Sequence, residues 1–337
     1  MKWVRPDSPD YDETRKLFNA MIDRRPAVIA QCADAAEVAE ALAYAKSNTL
    51  DVAVRAGGHS VAGMSTNEGG LVVDVRPMKS ITVDRDNRTV SVGAGVTWGE
   101  FDRATQEHGL ACTGGRASTT GVAGFTLGGG SGWLERSYGF ACDNLVSVDL
   151  VTAAGERVTA SARENPELFW ALHGGGGNFG VATSFTFGLH ELGPTVHAGI
   201  MLWRGEDATD LSRAYRDLSL AAPEAVGSAL VFLTAPPEPF VPEDMVGKPA
   251  VGLAYLYAGD PAAGAEQAGP FRELNPAVDL VGDMNYADFQ CMIDDPPDLY
   301  HYWSADYHDA LPDAALDVIV DAARHLPGPY SQHLVAR

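Results

Sequence analysis

The sequence predicts an α+β protein with two lobes. Its 337 residues are 46% hydrophobic, so the chain has enough apolar side chains for a large core and for more than one domain. Short strand candidates alternate with helices up to about residue 190, whereas longer strand candidates begin near Gly199. We therefore expect a first domain over residues 1–195 and a second over residues 196–337, an antiparallel sheet covered by helices.

The first lobe begins with a strand, a helix and a second strand. Asp34 is placed to cap the helix, with Glu37 three residues later and the apolar residues Val38, Leu42 and Ala45 at helical spacing. The β-branched run DVAVRA predicts the strand that follows, and LVVDVR, SITVD and TVSVGAG predict three more.

The rest of the first lobe continues this mixture. A helix is predicted from Thr97 to His108, and Gly109 is placed to end it in the left-handed conformation. After a glycine-rich passage, LVSVDLVTAAGERVTASA predicts a hairpin, ENPELFWALHG a short helix and VATSFTFGLHEL a strand.

The second lobe has longer strands and an abrupt end. AGIMLWRG, GSALVFLTA and AVGLAYLYAG predict neighbouring strands, each followed by a helical or proline-rich segment. The helix DAALDVIVDAARHL leads into SQHLVAR, which has the pattern of another strand. A sheet that stops there has an open edge, so we expect the C-terminus to be truncated.

Composition and charge exclude several function classes. The chain has 45 acidic and 24 basic residues and no basic patch, so we expect it to bind neither nucleic acid nor a membrane surface. The N-terminal residues lack an apolar segment and no stretch has eighteen consecutive apolar residues, which predicts a cytoplasmic protein without a transmembrane helix. The cysteines are widely spaced, and His301 and His308 have no obvious third ligand, so neither disulfides nor a metal site is predicted.

Three glycine clusters carry the chemical signal of the first lobe. VAVRAGGHSVAG, residues 52–63, is a strand that ends in a tight turn with His59 at its tip. TTGVAGFTLGGGSGW at 119–133 and GGGGNFG at 174–180 predict turns whose main-chain N–H groups have no Cβ in the way, which suits a pyrophosphate. Together the clusters predict one long ligand lying along the backbone.

Other nucleotide motifs fit less well. GAGVTWG, residues 93–99, follows a strand and opens a helix as a Rossmann fingerprint does, but its third glycine falls one position late. No lysine follows the 119–133 cluster in the Walker position, which excludes a P-loop nucleoside triphosphatase. A nicotinamide-dependent dehydrogenase and a simple glycine-rich packing corner remain as alternatives at this point.

Three motifs in order carry a family resemblance. RAGGHS at 55–60, STTGVAGFTLGGGSGWLERSYGFACDNL at 118–145 and ENPELFWALHGGGGNFGVATSF at 164–185 resemble the FAD-linked oxidases related to berberine bridge enzyme and 6-hydroxynicotine oxidase. These are vanillyl-alcohol-oxidase flavoproteins with a PCMH-type FAD-binding domain. The resemblance implies that the first domain binds FAD and that the sheet of the second, a substrate domain, forms the floor of the active site.

The resemblance also implies roles for individual residues. His59 stands where the family attaches the 8α-methyl group of the flavin covalently to a histidine. Ala117 stands where doubly attached members have a cysteine, and Cys112 lies five residues upstream, so a single attachment is implied. Cofactor contacts are implied for Arg55, Gly57, Gly58, Ser60, Thr119, Thr120, Gly121, Gly124, Gly128, Gly129 and Gly130, and contacts with the adenine or ring edge for Gly180 and Val181.

The implied reaction is the oxidation of a CH–OH or CH–NH group by hydride transfer to flavin N5, with dioxygen reoxidising the flavin and yielding hydrogen peroxide. The implied substrate is a small molecule: a sugar, an alcohol or an amine-bearing heterocycle. No catalytic base is identified, although Asp294, Tyr300 and Tyr302 in the stretch 285–303 are candidates. The short C-terminus leaves an alternative, an FAD-binding module with impaired catalysis.

Overall fold

The chain divides into two units, each made of two separate stretches. One unit contains Met1–Glu191 and Gln290–Ser304, and the other contains Leu192–Phe289 and the residues from Ala305 onward. The computed structural model describes residues 1–296 and 298–336, so Pro297 and Arg337, which belong to two of the predicted segments, lie outside the described residues. Helices and strands occur in both units, which confirms the α+β class.

The first unit consists of short strands and six α-helices in its described residues. Its helices are α1 (Tyr11–Arg15), α2 (Ala35–Ser47), α3 (Trp98–Gln106), α4 (Val122–Leu127), α5 (Glu135–Tyr138) and α6 (Pro166–Ala171). Its strands are β1 (Lys2–Val4), β2 (Val28–Gln31), β3 (Val52–Arg55), β4 (Leu71–Asp74), β5 (Ile81–Asp84), β6 (Thr89–Gly93), β7 (Leu110–Ala111), β8 (Leu145–Val151), β9 (Arg157–Ser161), β10 (Val181–Gly188) and β11 (His190–Glu191).

The turn that contains His59 leaves a four-stranded sheet. The strand order is β1-β2-β4-β3, and β2 and β3 both run parallel to β4. The turn follows the carboxyl end of β3, which is the end where parallel sheets place their ligand-binding loops. The fold therefore presents the first glycine cluster where a ligand is expected.

A five-stranded antiparallel sheet completes the main framework of this unit. Its order is β5-β6-β10-β8-β9, and β8 and β9 form the predicted hairpin. One buried apolar cluster contains side chains of both sheets and of α2 and α3, among them Val28, Val38, Phe101, Val148 and Phe185. This shared core fixes the glycine clusters on a rigid base.

The helix signals of the first lobe are confirmed. The Asp34 carboxylate accepts hydrogen bonds from two N–H groups in the first turn of α2. Thr97 and Glu100 form a reciprocal capping box at the start of α3. Gly109 has a φ of +65°, as predicted for the turn after this helix, although α3 itself ends at Gln106.

One stretch differs from its prediction. The sequence predicts a glycine turn from residue 119 onward, but residues 122–127 form α4, and Gly124 lies inside it. Val122, Ala123 and Leu127 are buried on one side of this short helix. Their burial outweighs the low helix propensity of glycine, so the turn begins only at Gly128.

The second unit is built on one antiparallel sheet of order β15-β12-β14-β13-β17, with β16 also beside β12. The final strand confirms the prediction from SQHLVAR as far as Ala336. The elements are β12 (Thr195–Arg204), β13 (Val226–Thr234), β14 (Pro249–Tyr257), β15 (Val278–Asp279), β16 (Gly282–Asn285), β17 (His333–Ala336), α7 (Ala208–Ala221), α8 (Pro261–Gln267), α9 (Gly269–Arg272), α11 (Asp313–Ala323) and α10 (Tyr286–Cys291), whose last two residues belong to the first unit.

The two faces of this sheet differ in what they carry. Helices α7, α9 and α11 pack on the face that bears Met201, Val226, Leu253 and Tyr255, which confirms a sheet covered by helices. Strand alternation places the other side chains of the three central strands on the opposite face: Val196, Ala198, Ile200, Leu202, Arg204, Gly227, Ala229, Val231, Leu233, Ala250, Gly252, Ala254 and Leu256. No helix among the described residues is long and apolar enough to cross a bilayer.

Candidate cofactor-binding site

The first two glycine clusters meet backbone to backbone. A Cβ built on Gly57 would lie 2.3 Å from the main-chain nitrogen of Gly121, and a Cβ built on Gly121 would lie 2.4 Å from that of Gly57. Any side chain at either position would overlap the opposite main chain. The structure therefore brings together the two turns that were predicted to share one ligand.

The imidazole of His59 is held at both ring nitrogens. Nε2 lies 2.9 Å from Oγ1 of Thr119, and Nδ1 lies 3.2 Å from Oγ1 of Thr120. Because a hydroxyl both donates and accepts, the two threonines suit a neutral ring with a single N–H. One face of the ring stacks on Phe18, with centroids 3.9 Å apart and planes 15° from parallel.

The surroundings of His59 favour its neutral form. Burial lowers the pKa of His59 to about 4 because the imidazolium loses hydration; His301 acts in the same direction and Asp294 opposes it. The ring is therefore uncharged at pH 7 and keeps a lone pair available for a nucleophilic role.

Several main-chain donors of the same turn have no partner within the part of the chain that the structure describes. Among the described residues, the N–H groups of Gly57, Gly58, His59 and Ser60 donate to no protein acceptor. Gly58 has a φ of +76°, and the hydroxyl oxygen of Ser60 accepts a hydrogen bond from the N–H of Met64 at 3.2 Å. A turn with consecutive unpaired amides and a left-handed glycine is suited to bind an anion such as a pyrophosphate.

The second cluster leaves space beside its main chain. Within the described residues, a Cβ at Gly124 or at Gly129 would meet no atom within 4 Å, so contacts in that part of the protein do not require glycine at Gly124. Gly128 ends α4, and the carbonyls of Gly129 and Gly130 accept hydrogen bonds from the N–H groups of residues 142 and 141. These open positions, together with the unpaired amides, fit an extended dinucleotide such as FAD.

The third cluster contacts the second, but Gly180 at its end and the following residue, Val181, pack against the protein. The N–H of Gly176 donates to the carbonyl of Leu127 at 2.9 Å. A Cβ at Gly180 would lie 2.6 Å from the carbonyl oxygen of Val151, and the side chain of Val181 is 3% exposed in the core. The contacts of Gly180 and Val181 with the adenine or ring edge stay a prediction.

Arg55 holds the backbone that precedes Phe18, beside the site. Its guanidinium donates to the carbonyls of Thr14 and Lys16, and burial lowers its pKa to about 10. These bonds fix the backbone that leads to Phe18, whose own N–H donates to the carbonyl of Gly58 at 3.3 Å. Two of the guanidinium nitrogens are thus engaged by the protein, whereas Nε has no partner among the described residues. A direct cofactor contact of Arg55 stays a prediction.

A distant segment, Gln290–Ser304, also belongs to the site. Asp294 accepts a hydrogen bond from the N–H of Ser118 at 2.7 Å, and the Ser118 hydroxyl donates to its other carboxylate oxygen. His301 is 8% exposed, whereas the flanking Tyr300 and Tyr302 are 78% and 86% exposed. Of the three candidate catalytic residues, the structure brings Asp294 to the site and turns both tyrosines outward.

Sequence reasoning missed the residues that join this segment to the His59 turn. The Asn19 side chain donates to the carbonyls of Val61 and His301, each at 2.9 Å, and accepts from the N–H of His301 at 3.0 Å. Asn19 and His301 are 282 positions apart, so no spacing rule connects them. The sequence singles out His301 only as a possible metal ligand, and neither Asn19 nor Phe18 lies in a recognisable motif.

Cys112 is a poor second attachment point. Its side chain is fully buried, and burial raises the pKa of its thiol. A thiol of this kind forms little of the reactive thiolate.

Comparisons with known proteins agree with this geometry. A family model described as an FAD binding domain matches residues 26–161. (R)-6-hydroxynicotine oxidase of Paenarthrobacter nicotinovorans is 39% identical over 200 residues, which cover 59% of this chain and 44% of that protein. An FAD-linked oxidoreductase of Dictyostelium discoideum is 31% identical over 335 residues, which cover 96% of this chain and 69% of that protein.

A solved structure shows that the fold is shared. The BBE-like 1 protein of Physcomitrella patens superposes with a TM-score of 0.86 at 23% identity, covering 99% of this chain and 74% of that one. The chain spans less than half the length of the 6-hydroxynicotine oxidase but more than two thirds of the Dictyostelium protein. The chain therefore belongs to the FAD-linked oxidoreductases, and its cofactor is FAD.

Proposed function

We propose that the protein is an FAD-dependent oxidoreductase that holds FAD through a single covalent bond to His59 and oxidises a CH–OH or CH–NH group of a small molecule. Dioxygen is the proposed electron acceptor, with hydrogen peroxide as the second product. The observation that carries the proposal is the imidazole of His59, held at both nitrogens by Thr119 and Thr120 beside the amides of its own turn that have no partner among the described residues.

FAD supplies the acceptor for the substrate hydride, and the protein positions the cofactor. The N–H groups of Gly57 and Gly58 are proposed to bind the pyrophosphate, while the open sides of Gly124 and Gly129 leave room for the cofactor. His59 contributes the nitrogen that joins the 8α carbon. One hydrogen leaves the imidazole and one leaves the methyl group, and both depart with dioxygen as hydrogen peroxide, so that atoms and electrons balance.

The family supports a proposal for the substrate class. One relative is named as an oxidase of (R)-6-hydroxynicotine, a heterocycle that bears an amine. We propose heterocyclic amines, sugars and other alcohols as the classes to test. Asp294, Tyr300 and Tyr302 remain proposed candidates for proton transfer, with Asp294 the one already bound within the site.

A second candidate function is an FAD-binding chain with impaired catalysis. The resemblance assigns the floor of the active site to the sheet of the second unit, and one face of that sheet is packed under helices. On the opposite face, the three central strands described above carry no carboxylate, histidine or tyrosine, and Arg204 at its end pairs with Asp244 at 2.7 Å. A proton acceptor for the substrate is therefore missing from those strands.

An absorption spectrum taken before and after acid precipitation tests the attachment. Wild-type protein should keep its flavin absorbance in the precipitate, and His59→Ala should release all of it. His108→Ala is the matched control, because His108 is exposed and lies outside the site. Release of all flavin from the wild type, or a covalent adduct in His59→Ala, would contradict the proposal.

A substrate screen separates the two candidate functions. Flavin bleaching under anaerobic conditions and peroxide release in air, with any sugar, alcohol or heterocyclic amine, would support the oxidoreductase. Covalent flavin that no substrate in the panel reduces would favour the impaired module.

A further inference from the structure

We propose that the segment Gln290–Ser304 is a positioning element for the attachment of FAD to His59, with Asp294 acting through Ser118 and His301 acting through Phe18. This inference rests on the covalent attachment proposed above. It assigns to residues far from the glycine motifs the task of orienting the imidazole that forms the bond.

The first arm of the segment, Asp294 with its partner Ser118, fixes the hydroxyls that hold the imidazole. Both carboxylate oxygens of Asp294 bind Ser118, one accepting from its N–H at 2.7 Å and the other from its hydroxyl. Ser118 directly precedes Thr119 and Thr120, whose hydroxyls contact the two nitrogens of His59. Hydrogen bonds to an ionised carboxylate are stronger than neutral ones, so this pair restrains the turn that orients the ring.

The second arm, His301 with its partner Phe18, supports one face of the His59 ring. His301 stacks on Phe18 with centroids 4.3 Å apart and planes 20° from parallel, and Phe18 stacks in turn on His59. The main chain of His301 is tied to Asn19, which also binds the carbonyl of Val61 in the His59 turn. Three stacked rings therefore set the tilt of the imidazole from one side.

Orientation of this kind matters because the bond must form at one carbon of a bound cofactor. A reacting pair held at near-attack distance gains a large rate advantage, and a displacement of about 1 Å costs about a hundredfold. The threonine hydroxyls fix rotation of the ring, and the stack fixes its plane. Both restraints depend on the same distant segment.

Asp294→Asn tests the first arm. The change keeps the size of the side chain but removes its charge and gives it an N–H group in place of an oxygen. We expect FAD to bind in the same amount while the rate of covalent attachment falls about tenfold, as for the loss of one charge-assisted hydrogen bond. Attachment is followed by adding FAD to apo-protein and measuring acid-stable flavin over time.

Asp298→Asn is the matched control for charge. Asp298 lies in the same segment, is exposed, and has no described hydrogen bond; its left-handed backbone is one that asparagine adopts readily. This variant should attach FAD at the wild-type rate. Ser118→Ala should slow attachment, and the double variant with Asp294→Asn should be no slower than Asp294→Asn alone.

Two substitutions of His301 test the second arm. His301→Ala removes the ring and should slow attachment, whereas His301→Phe keeps the ring and should restore most of the rate. If His301 only stabilised the fold, His301→Ala would lower FAD binding and covalent attachment together, and not attachment alone.

The outcomes separate the two proposals. If the wild type attaches FAD covalently, and Asp294→Asn and His301→Ala attach it at the same rate as the wild type, this inference is overturned and the proposed function stands. Parallel loss of FAD binding and attachment in both variants would also overturn it, because the segment would then be a general support. Absence of attachment in the wild type would overturn both proposals.

Discussion

Gly57 and Gly121 pack main chain against main chain, each occupying the place where the other would carry a side chain. This contact joins the turn after β3 to the turn before α4 and so brings His59 within hydrogen-bond distance of Thr119 and Thr120. The proposed attachment site therefore depends on the lack of a side chain at both positions.

Gly57→Ala should strongly destabilise the protein. Its Cβ would lie 2.3 Å from a main-chain nitrogen, which cannot move aside as a side chain can. We expect the free energy of unfolding to fall by about 3 kcal/mol, measured by urea denaturation of the apo-protein. An unchanged midpoint would show that the two turns are not in contact in solution.

Gly124→Ala should have the opposite effect on the apo-protein. Gly124 lies in a helix, and an added Cβ would meet no atom of the described residues within 4 Å, so alanine should raise the free energy of unfolding by up to about 1 kcal/mol. The same methyl group would enter the space proposed for the cofactor. We therefore expect FAD affinity to fall by about tenfold, measured by fluorescence titration; unaltered affinity would place the cofactor elsewhere.

The pH dependence of attachment should differ from that of an ordinary histidine. Burial lowers the pKa of His59 to about 4 from 6.5, so the nucleophilic neutral form persists below pH 6. We expect the attachment rate at saturating FAD to be nearly constant from pH 8 to about pH 5. A half-maximal rate near pH 6.5 would show that the imidazole is hydrated before FAD binds.

Cys112→Ala should leave the covalent flavin in place. The Cys112 thiol is fully buried, and its pKa is raised by that burial. Loss of the sulfur creates a small cavity worth about 1 kcal/mol of stability. Acid-stable flavin is the measurement, and its loss in Cys112→Ala but not in His59→Ala would exchange the roles of the two residues.

Much of the fold follows from local signals. The cap at Asp34, the capping box at Thr97 and the hairpin of β8 and β9 are each set by residues within a few positions of one another, and all were predictable. Helix α4 was not predictable, because its glycines indicate a turn and only the burial of Val122 and Leu127 makes it a helix. Tertiary packing there overrides propensity.

The candidate site also has a part that the sequence predicts and a part that it does not. The glycine turns and His59 carry a sequence signal because close backbone approach requires glycine at particular positions. Arg55 lies in the same motif, yet its side chain holds the backbone of Thr14 and Lys16, a role that depends on where the N-terminal segment folds. The contacts of Asn19 and His301 lack a sequence signal for the same reason.

The most pronounced pH effect on stability should come from Asp102, which is fully buried on α3. Its Oδ2 accepts a hydrogen bond from the side chain of Gln290 at 3.1 Å, while Oδ1 has no partner among the described residues. Burial raises the pKa of Asp102 to about 7 from 3.8, although Gln290 and Arg103 oppose the shift. Between these two values the folded state keeps a proton that the unfolded chain has lost. The free energy of unfolding therefore falls as pH rises from about 4 to about 7, by up to about 4 kcal/mol from this group.

Asp102→Asn should abolish this contribution, because an amide is neutral at every pH and can pair with Gln290 through its oxygen. The variant should match the wild type near pH 4 and exceed its free energy of unfolding by a few kcal/mol at pH 8. His59 contributes in the opposite direction between about pH 4 and 6.5, so the difference between the two proteins, measured by urea denaturation across the range, isolates Asp102. Asp288→Asn, which changes an exposed carboxylate, is the matched control for replacing an aspartate by asparagine. A difference for Asp102→Asn that does not vary with pH would mean that Asp102 is ionised and solvated in the folded protein.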